Sequence, residues 1–196
     1  MRVNKTLSRG WAAGAILAVS LAVLASGQSP QSGASSRIRI KNFGCLNENY
    51  YRGAQPKGQD YADLAALGIK TVIDLQRDGR KDEQQMVESH GMKFYRIGLT
   101  TSSAPDKEQV ALFLKLVDDP ANQPVFIHCH GGRHRTGIMT AVYRFTHDSW
   151  TADRALTEMK QYDFGNGHST LKEYVFDYYS NMDRGDQAAR AATSSH

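Results

Sequence analysis

A short apolar run, Val125-Phe126-Ile127, leads straight into His128-Cys129-His130-Gly131-Gly132-Arg133-His134-Arg135-Thr136-Gly137, after which Ile138, Ala141, Val142 and Phe145 recur at helical spacing. Three consecutive apolar residues beside turn formers fit a strand buried on both faces. The Gly131-Gly132 pair permits backbone angles that side chains disfavour. The segment therefore specifies strand, tight loop and helix in direct succession, a unit that has to sit inside a sheet covered by helices.

The remaining chain repeats that alternation. Arg37–Ile40 alternates like a strand, and Tyr50-Tyr51-Arg52, followed by Gly53 and Pro56, predicts a second one ending in a turn. A helix fits Gln59–Leu67, stopped by Gly68, with the strand Thr71–Leu75 immediately after; Asp82–His90 predicts another helix, closed by Gly91, and Met92–Leu99 a strand. From Pro105 a longer helix places Val110, Phe113, Leu114 and Val117 on one face until Pro120 ends it. Thr151 is placed to cap a helix carrying Ala152, Ala155, Leu156 and Met159. Thr170 with Glu173 predicts a capping box for a last helix through Leu171, Tyr174, Val175 and Tyr178, whose aromatics read as core. The expectation is one α/β domain over residues 37–184, with a central, mostly parallel sheet flanked by helices and a frayed tail over 185–196. With 40% apolar residues in 196, one ordinary core is affordable and no second domain is required.

The first 27 residues contain Arg2, Lys5 and Arg9 but no acid, and run apolar from Trp11 to Ala25 before Ser26 and Gly27. That is the pattern of a secretory signal peptide over residues 1–27. Its apolar run of about 15 residues is short for a membrane span, which needs about 20. Export to a periplasm or secretion is expected, with membrane anchoring if the segment stays uncleaved. Residues 28–36, rich in Gln, Ser, Gly and Pro, read as a flexible spacer. Loss of three positive charges with the signal leaves +1 of a formal net charge of +4, so the basic balance belongs to the signal. The remaining Lys and Arg are dispersed among acids, which argues against a nucleic-acid partner.

A phosphate monoester demands donors for three oxygens, a nucleophile ionised at neutral pH and an acid for the leaving oxygen. The loop is suited to the first two. Cys129 is the candidate nucleophile, and five residues separate it from Arg135, enough chain to wrap a tetrahedral anion. Backbone N–H groups of His130, Gly131, Gly132, Arg133 and His134 would line such a nest, and a helix opening near Thr136 would direct its positive end there. Arg135 offers a planar fork to two phosphoryl oxygens. Together these fields are expected to pull the Cys129 thiol below its free value. Thr136 offers its hydroxyl to the sulfur, a helix cap being its other reading. His128 reads as a residue that orders the loop by hydrogen bonds. Cys45 reads as a small buried apolar side chain, although a disulfide with Cys129 would inactivate the nucleophile.

His128-Cys129-x5-Arg135-Thr136-Gly137 resembles the signature of the protein tyrosine phosphatase superfamily, and its company resembles the compact dual-specificity branch. Tyr51-Arg52-Gly53-Ala54-Gln55-Pro56, Leu67–Ile73 and Asn122–Cys129 are similar to the atypical dual-specificity phosphatases of plants, fungi and bacteria. The likeness covers roughly residues 42–179. It implies the cysteine-phosphatase (dual-specificity) fold and a two-step mechanism through a phosphocysteine, with no metal and no cofactor. It also implies an aspartic acid on an upstream mobile loop. Ile97 and Gly98 stand where that Asp is commonest, and Asp106, in Ser103-Ala104-Pro105-Asp106-Lys107, is the candidate; helix N-terminal stabilisation is its competing role. Arg133-His134-Arg135 is similar to the Lys-His-Arg loop of members that act on inositol pyrophosphates, while phosphoinositide and phosphoprotein partners stay open.

Two readings from other classes compete. One is a phosphate-binding module without turnover. The other is a metal site from His128, Cys129, His130 and His134, against which stands the opposite direction of adjacent side chains on a strand end. Sulfur transfer by a rhodanese-like loop and arsenate reduction also use a loop cysteine, but the Arg135-Thr136-Gly137 ending resembles those families less.

Overall fold

The computed structural model describes residues 38–193. The expected export signal and its spacer lie outside the described residues. The sheet has five strands: β1 (Gly44–Asn47), β2 (Tyr50–Ala54), β3 (Thr71–Gln76), β4 (Lys93–Leu99) and β5 (Val125–Cys129), in the order β1-β2-β5-β3-β4. Only β1 runs antiparallel to its neighbour; β2, β5, β3 and β4 are mutually parallel. Among the described residues six helices pack on it: α1 (Asp60–Ala66), α2 (Glu83–Glu88), α3 (Lys107–Asp118), α4 (His134–Asp148), α5 (Ala152–Gln161) and α6 (Ser169–Thr193).

Alternation along the strands divides the core in two. Ile73, Leu75, Val125, Ile127 and Cys129 face one layer with Phe113 of α3, Ile138 and Val142 of α4, and Leu171 of α6. Val72 and Phe126 face the other, with Tyr61 and Leu64 of α1 and Val87 of α2. Full burial of each such apolar side chain stabilises by roughly 1.5–3 kcal/mol. The helix after the loop is the most deeply set, with Thr136 through Tyr143 all buried. Central β5, flanked by two parallel neighbours, is thus held rigidly up to its last residue, Cys129.

Several local expectations are revised. Residues 38–40 form no strand; Ile40 is buried as a core side chain, and the edge strand is Gly44–Asn47 instead. Cys45, on that edge strand, is exposed rather than a buried apolar residue, and both thiols are free. Because α6 opens at Ser169, Thr170 falls inside the first turn and is no cap, and the helix continues past Gly185 to Thr193. Thr151 does cap α5, its hydroxyl accepting from Arg154 N. Among the described residues no helix is long and apolar enough to cross a membrane.

Between β5 and α2 lies a buried polar layer. Asp74, Gln76, Glu83, Gln55 and His128 are all buried there. Gln76 Nε2 donates to Gln55 Oε1 at 2.7 Å and to Asp74 Oδ1 at 3.0 Å, and Arg96 Nε donates to Asp74 Oδ2 at 2.8 Å. His128 Nε2 lies 3.0 Å from Glu83 Oε1 as an ion pair bent away from ideal hydrogen-bond geometry. Burial alone would raise the Glu83 carboxyl, but His128, Gln55 and Tyr61 hold it below its ordinary value. Burial would likewise lower His128, and Glu83, Asp74 and Cys129 hold it above its own. Both partners are therefore charged.

The pair's contribution to stability has two edges. The Glu83 part is present above the ordinary carboxylate value of 4.5 and is lost as pH falls through the depressed one. The His128 part is full below 6.5 and is lost as pH rises through the raised one. Glu83→Gln is therefore expected to destabilise by about 3 kcal/mol between those values, because it leaves a buried imidazolium unpaired. Urea unfolding at several pH values checks this; the cost should shrink towards alkaline pH, where His128 is neutral.

Candidate active site

Adjacent residues on β5 diverge. His128 turns into the polar layer, and Cys129 turns to the opposite face, where it lines a cavity of about 280 Å³ with Thr101, His130, Gly131, Arg133, His134, Arg135 and His168. Strand β5 delivers the sulfur, residues 130–133 make the loop, and α4 opens at His134, two residues earlier than expected. Arg135 and Thr136 thus lie in its first turn.

The loop is shaped from behind. Three consecutive carbonyls are engaged on its outer side: His130 O accepts from Gln55 N at 3.3 Å, Gly131 O from Asn42 Nδ2 at 2.8 Å, and Gly132 O from Arg52 Nη2 at 2.7 Å. A trans peptide is planar with N–H opposite C=O, so drawing these oxygens outward turns the following N–H groups towards the cavity. Gly132 has φ +66, and a Cβ there would fall 2.5 Å from Gly53 C and 2.6 Å from Ala54 N of β2. No other residue type fits so close an approach. Gly132 itself does not line the cavity; it belongs to the turn that shapes it.

Burial by itself would raise the Cys129 thiol. The Thr136 hydroxyl and amide, then Arg135 and His128, outweigh it and bring the thiol below its ordinary value. Thr136 Oγ1 is buried with no other partner, which leaves it to the sulfur. Arg135 is nearly buried; its Nη1 donates to Leu99 O at 3.4 Å and lies 3.7 Å from Asp78 Oδ1, while its buried Nε has no partner among the described residues. The guanidinium is therefore held at the cavity with donor capacity in reserve.

Asp106 is not brought to this site. Its carboxylate caps α3, accepting from Gln109 N at 2.7 Å while Gln109 Oε1 accepts from Asp106 N at 3.0 Å. It lines a separate depression of about 1010 Å³ between α3 and α6 that contains none of the loop. That depression is larger, but it lacks a nucleophile and inward-facing amides, so the chemistry belongs to the small cavity. The acid candidate from the sequence is thus corrected to a helix cap.

The metal alternative also changes. Among the described residues, the ligand-type side chains whose donor atoms lie within 4.8 Å of one another are Asp74, Glu83 and His128. Cys129 and His130 are apart from them, and His134 Nε2 donates to Phe164 O at 2.9 Å. The charges of Asp74 and Glu83 are already met by Arg96 and His128.

Sequence reasoning missed four contributors: Asn42 and Arg52 behind the loop, Asp78 beside Arg135, and His168 at the rim. His168 lies against His134, ring centroids 4.0 Å apart and planes tilted by 46°, and its Nδ1 donates to Thr101 O at 3.1 Å. Burial, then the neighbouring His168, pulls His134 below its ordinary value. The YRGAQP string carried a signal for Arg52, since an arginine in a short strand beside two tyrosines needs a partner wherever that strand is buried. His168 lies far along the chain and carried none.

Residues 40–177 match the family model described as a DSP-PTPase phosphatase fused to NAD+ kinase. The inositol diphosphatase DSP3 of Arabidopsis thaliana is 28% identical over 125 residues, covering 61% of this chain and 61% of that protein. The dual specificity protein phosphatase TpbA of Pseudomonas aeruginosa is 28% identical over 121 residues, covering 62% of this chain and 54% of that protein. The chain thus spans between half and two thirds of the length of these relatives. The core catalytic domain of SIW14 from Saccharomyces cerevisiae shares the fold, with a TM-score of 0.66 at 22% identity over 79% of this chain and 95% of that one. The structure of TpbA gives 0.60 at 26% identity, over 69% and 83%. With the family model covering most of the chain, and Cys129, the loop and Arg135 gathered as its signature requires, the chain belongs to the dual-specificity protein tyrosine phosphatase family, whose members are phosphatases.

Proposed function

We propose that this chain is an exported cysteine-dependent phosphatase that hydrolyses phosphate monoesters through a phosphocysteine. The observation that carries the reading is a depressed Cys129 thiol in a cavity shared with loop amides and Arg135. In the first step Sγ forms a bond to phosphorus, the ester P–O bond breaks, and the leaving oxygen takes a proton. In the second, water attacks phosphorus, the S–P bond breaks, and the thiolate departs towards Thr136 and Arg135 while inorganic phosphate is released. Export rests on the acid-free, basic then apolar start of the sequence.

Cys129→Ser is expected to abolish hydrolysis of nitrophenyl phosphate while the protein still binds vanadate or phosphate. Arg135→Lys should lose about a hundredfold in kcat/KM, because an ammonium cannot make the two-pronged grip. Steady-state kinetics with phosphate titration checks both, and near-normal rates in either variant would contradict the mechanism.

Asp78 takes the acid role in this proposal: it is not among the residues lining the cavity, but its carboxylate lies 3.7 Å from Nη1 of Arg135, which does line it, and its side chain is 88% exposed. Asp78→Asn should depress turnover of poor leaving groups by about 10²-fold and that of nitrophenyl phosphate far less. Asp106→Asn should leave both unchanged. The capped state of Asp106 favours one second reading, a phosphate-binding module without turnover; hydrolysis that disappears in Cys129→Ser rules it out.

For the substrate, the rim is the guide. Arg133, Arg135, His130, His134 and His168 surround a cavity for one phosphoryl group, an excess of cationic and protonatable groups suited to a ligand bearing further phosphates. This favours the inositol polyphosphate or phosphoinositide class, in keeping with the Arabidopsis relative's name, over phosphoprotein, to which the Pseudomonas name points. His168→Ala is expected to lower kcat/KM about tenfold for a multiply phosphorylated inositol and hardly at all for nitrophenyl phosphate. A substrate panel tests this, with equal loss on both substrates assigning His168 a structural role.

A further inference from the structure

We infer that Arg52 is a positioning residue for the thiolate and its bound oxyanion, acting from beneath the loop by gripping Gly132 and by carrying a positive charge that no carboxylate neutralises. This rests on the phosphatase reading of the cavity. Arg52 is 0% exposed, in the middle of β2, and pairs in register with Ile127 two residues before Cys129. Alternation puts its side chain on the same sheet face as Tyr50, the face towards which Cys129 turns.

Its surroundings are unusual for a buried arginine. Nη2 donates to Gly132 O at 2.7 Å and the guanidinium lies 3.9 Å from the centroid of the Tyr162 ring, but Nε and Nη1 are buried without partners. No ion pair among the described residues includes it. Glu158, the nearest carboxylate to influence it, is engaged by Arg144 at 2.6 Å. Burying a cation without a counter-ion is unfavourable unless another negative charge faces it. The remaining titratable groups around it are Tyr50 on β2, Tyr162 after α5 and Cys129 on β5. Burial pushes the Tyr50 phenol well up and Tyr162 offers the guanidinium its ring face, so the negative charge that matches Arg52 is the Cys129 thiolate, and after binding the phosphoryl group. Thr136, Arg135 and, through the sheet, His128 already lower the thiol, and the charge of Arg52 would add to theirs.

The same side chain acts mechanically. Holding the Gly132 carbonyl outward keeps the Arg133 amide directed at the cavity, and Arg52 is the last of a row, after Gln55 and Asn42, that binds the loop's outer edge. Charge and grip are separable by substitution. Arg52→Met removes both, while Arg52→Lys keeps the charge and loses the planar reach to Gly132.

The test uses the full chain with Cys45→Ser, so that ultraviolet thiolate absorbance reports Cys129 alone. Arg52→Met should raise the thiol titration midpoint by about one unit and weaken inorganic phosphate binding about tenfold. Arg52→Lys should keep the midpoint near wild type yet weaken phosphate about fivefold. Unchanged midpoint and affinity in Arg52→Met, with only lowered unfolding stability, would overturn the inference. If Arg52→Met does not fold, wild-type phosphate affinity in Arg52→Lys overturns it equally. Both readouts are independent of turnover. A wild-type chain that shows the depressed thiol and binds phosphate but hydrolyses no ester would sink the phosphatase proposal and leave the role of Arg52 standing.

Discussion

Three peptide carbonyls facing the wrong way for a helix and the right way for an anion site are what the rest of this structure serves. Oxygens of His130, Gly131 and Gly132 are each held from outside the loop, by Gln55, Asn42 and Arg52. All three partners come from β2 or the chain beside it, and they reach the loop because β2 pairs in parallel with β5, Ala54 opposite Cys129. A free loop with two glycines would sample many conformations and lose the nest on every excursion. Strand order is therefore a functional matter: exchange the neighbours of β5 and the amides lose their orientation.

Once the amides are aimed, the charges fall into layers. Behind the sheet, His128 is kept cationic by Glu83 and Asp74, with Arg96 balancing the second carboxylate. On the cavity face, Cys129 sits between Thr136 and Arg135. The sheet separates an internally balanced network from an unbalanced one, and the imbalance is on the side of the cavity proposed to take an anion. Arg135 Nε, a buried donor without a protein partner among the described residues, lies at the same spot. Unsatisfied groups of this kind cost stability and are tolerated where a ligand completes them.

The parts of this arrangement legible in the sequence are those written in consecutive residues. Strand, loop and helix around Cys129 follow from an apolar triplet, a glycine pair and a helical repeat, and α3, α5 and the core strands follow from periodicity. The first strand was hidden because Gly44 and Asn47 are poor strand formers, and an alternating Arg37–Ile40 offered a better local pattern, of which the described residues 38–40 form no strand. Asp106 misled for a related reason. Asp-x-x-Gln satisfies itself locally as a capping box, so proximity in sequence to the loop before α3 said nothing about where the carboxylate ends up. Asn42, Arg52, Asp78 and His168 reach the site only through the topology, which residue spacing does not encode.

The paired histidines at the rim connect these points to specificity. His134 Nε2 and His168 Nδ1 both donate to backbone carbonyls, so each neutral ring presents its other nitrogen as an acceptor. An acceptor is of no use to a phosphate dianion. Protonation converts each free nitrogen into a donor, but two cationic rings with centroids 4.0 Å apart repel, and burial already holds His134 towards the neutral form. Only a ligand bringing enough negative charge to the rim compensates for charging both rings. A single phosphoryl group seated between Arg135 and the loop amides has its charge largely satisfied there, whereas a second phosphate at the mouth meets Arg133 and the two rings. On the proposed phosphatase reading, the rim would therefore distinguish substrates by their charge beyond the reacting phosphate, while the Cys129 chemistry underneath would be indifferent to it.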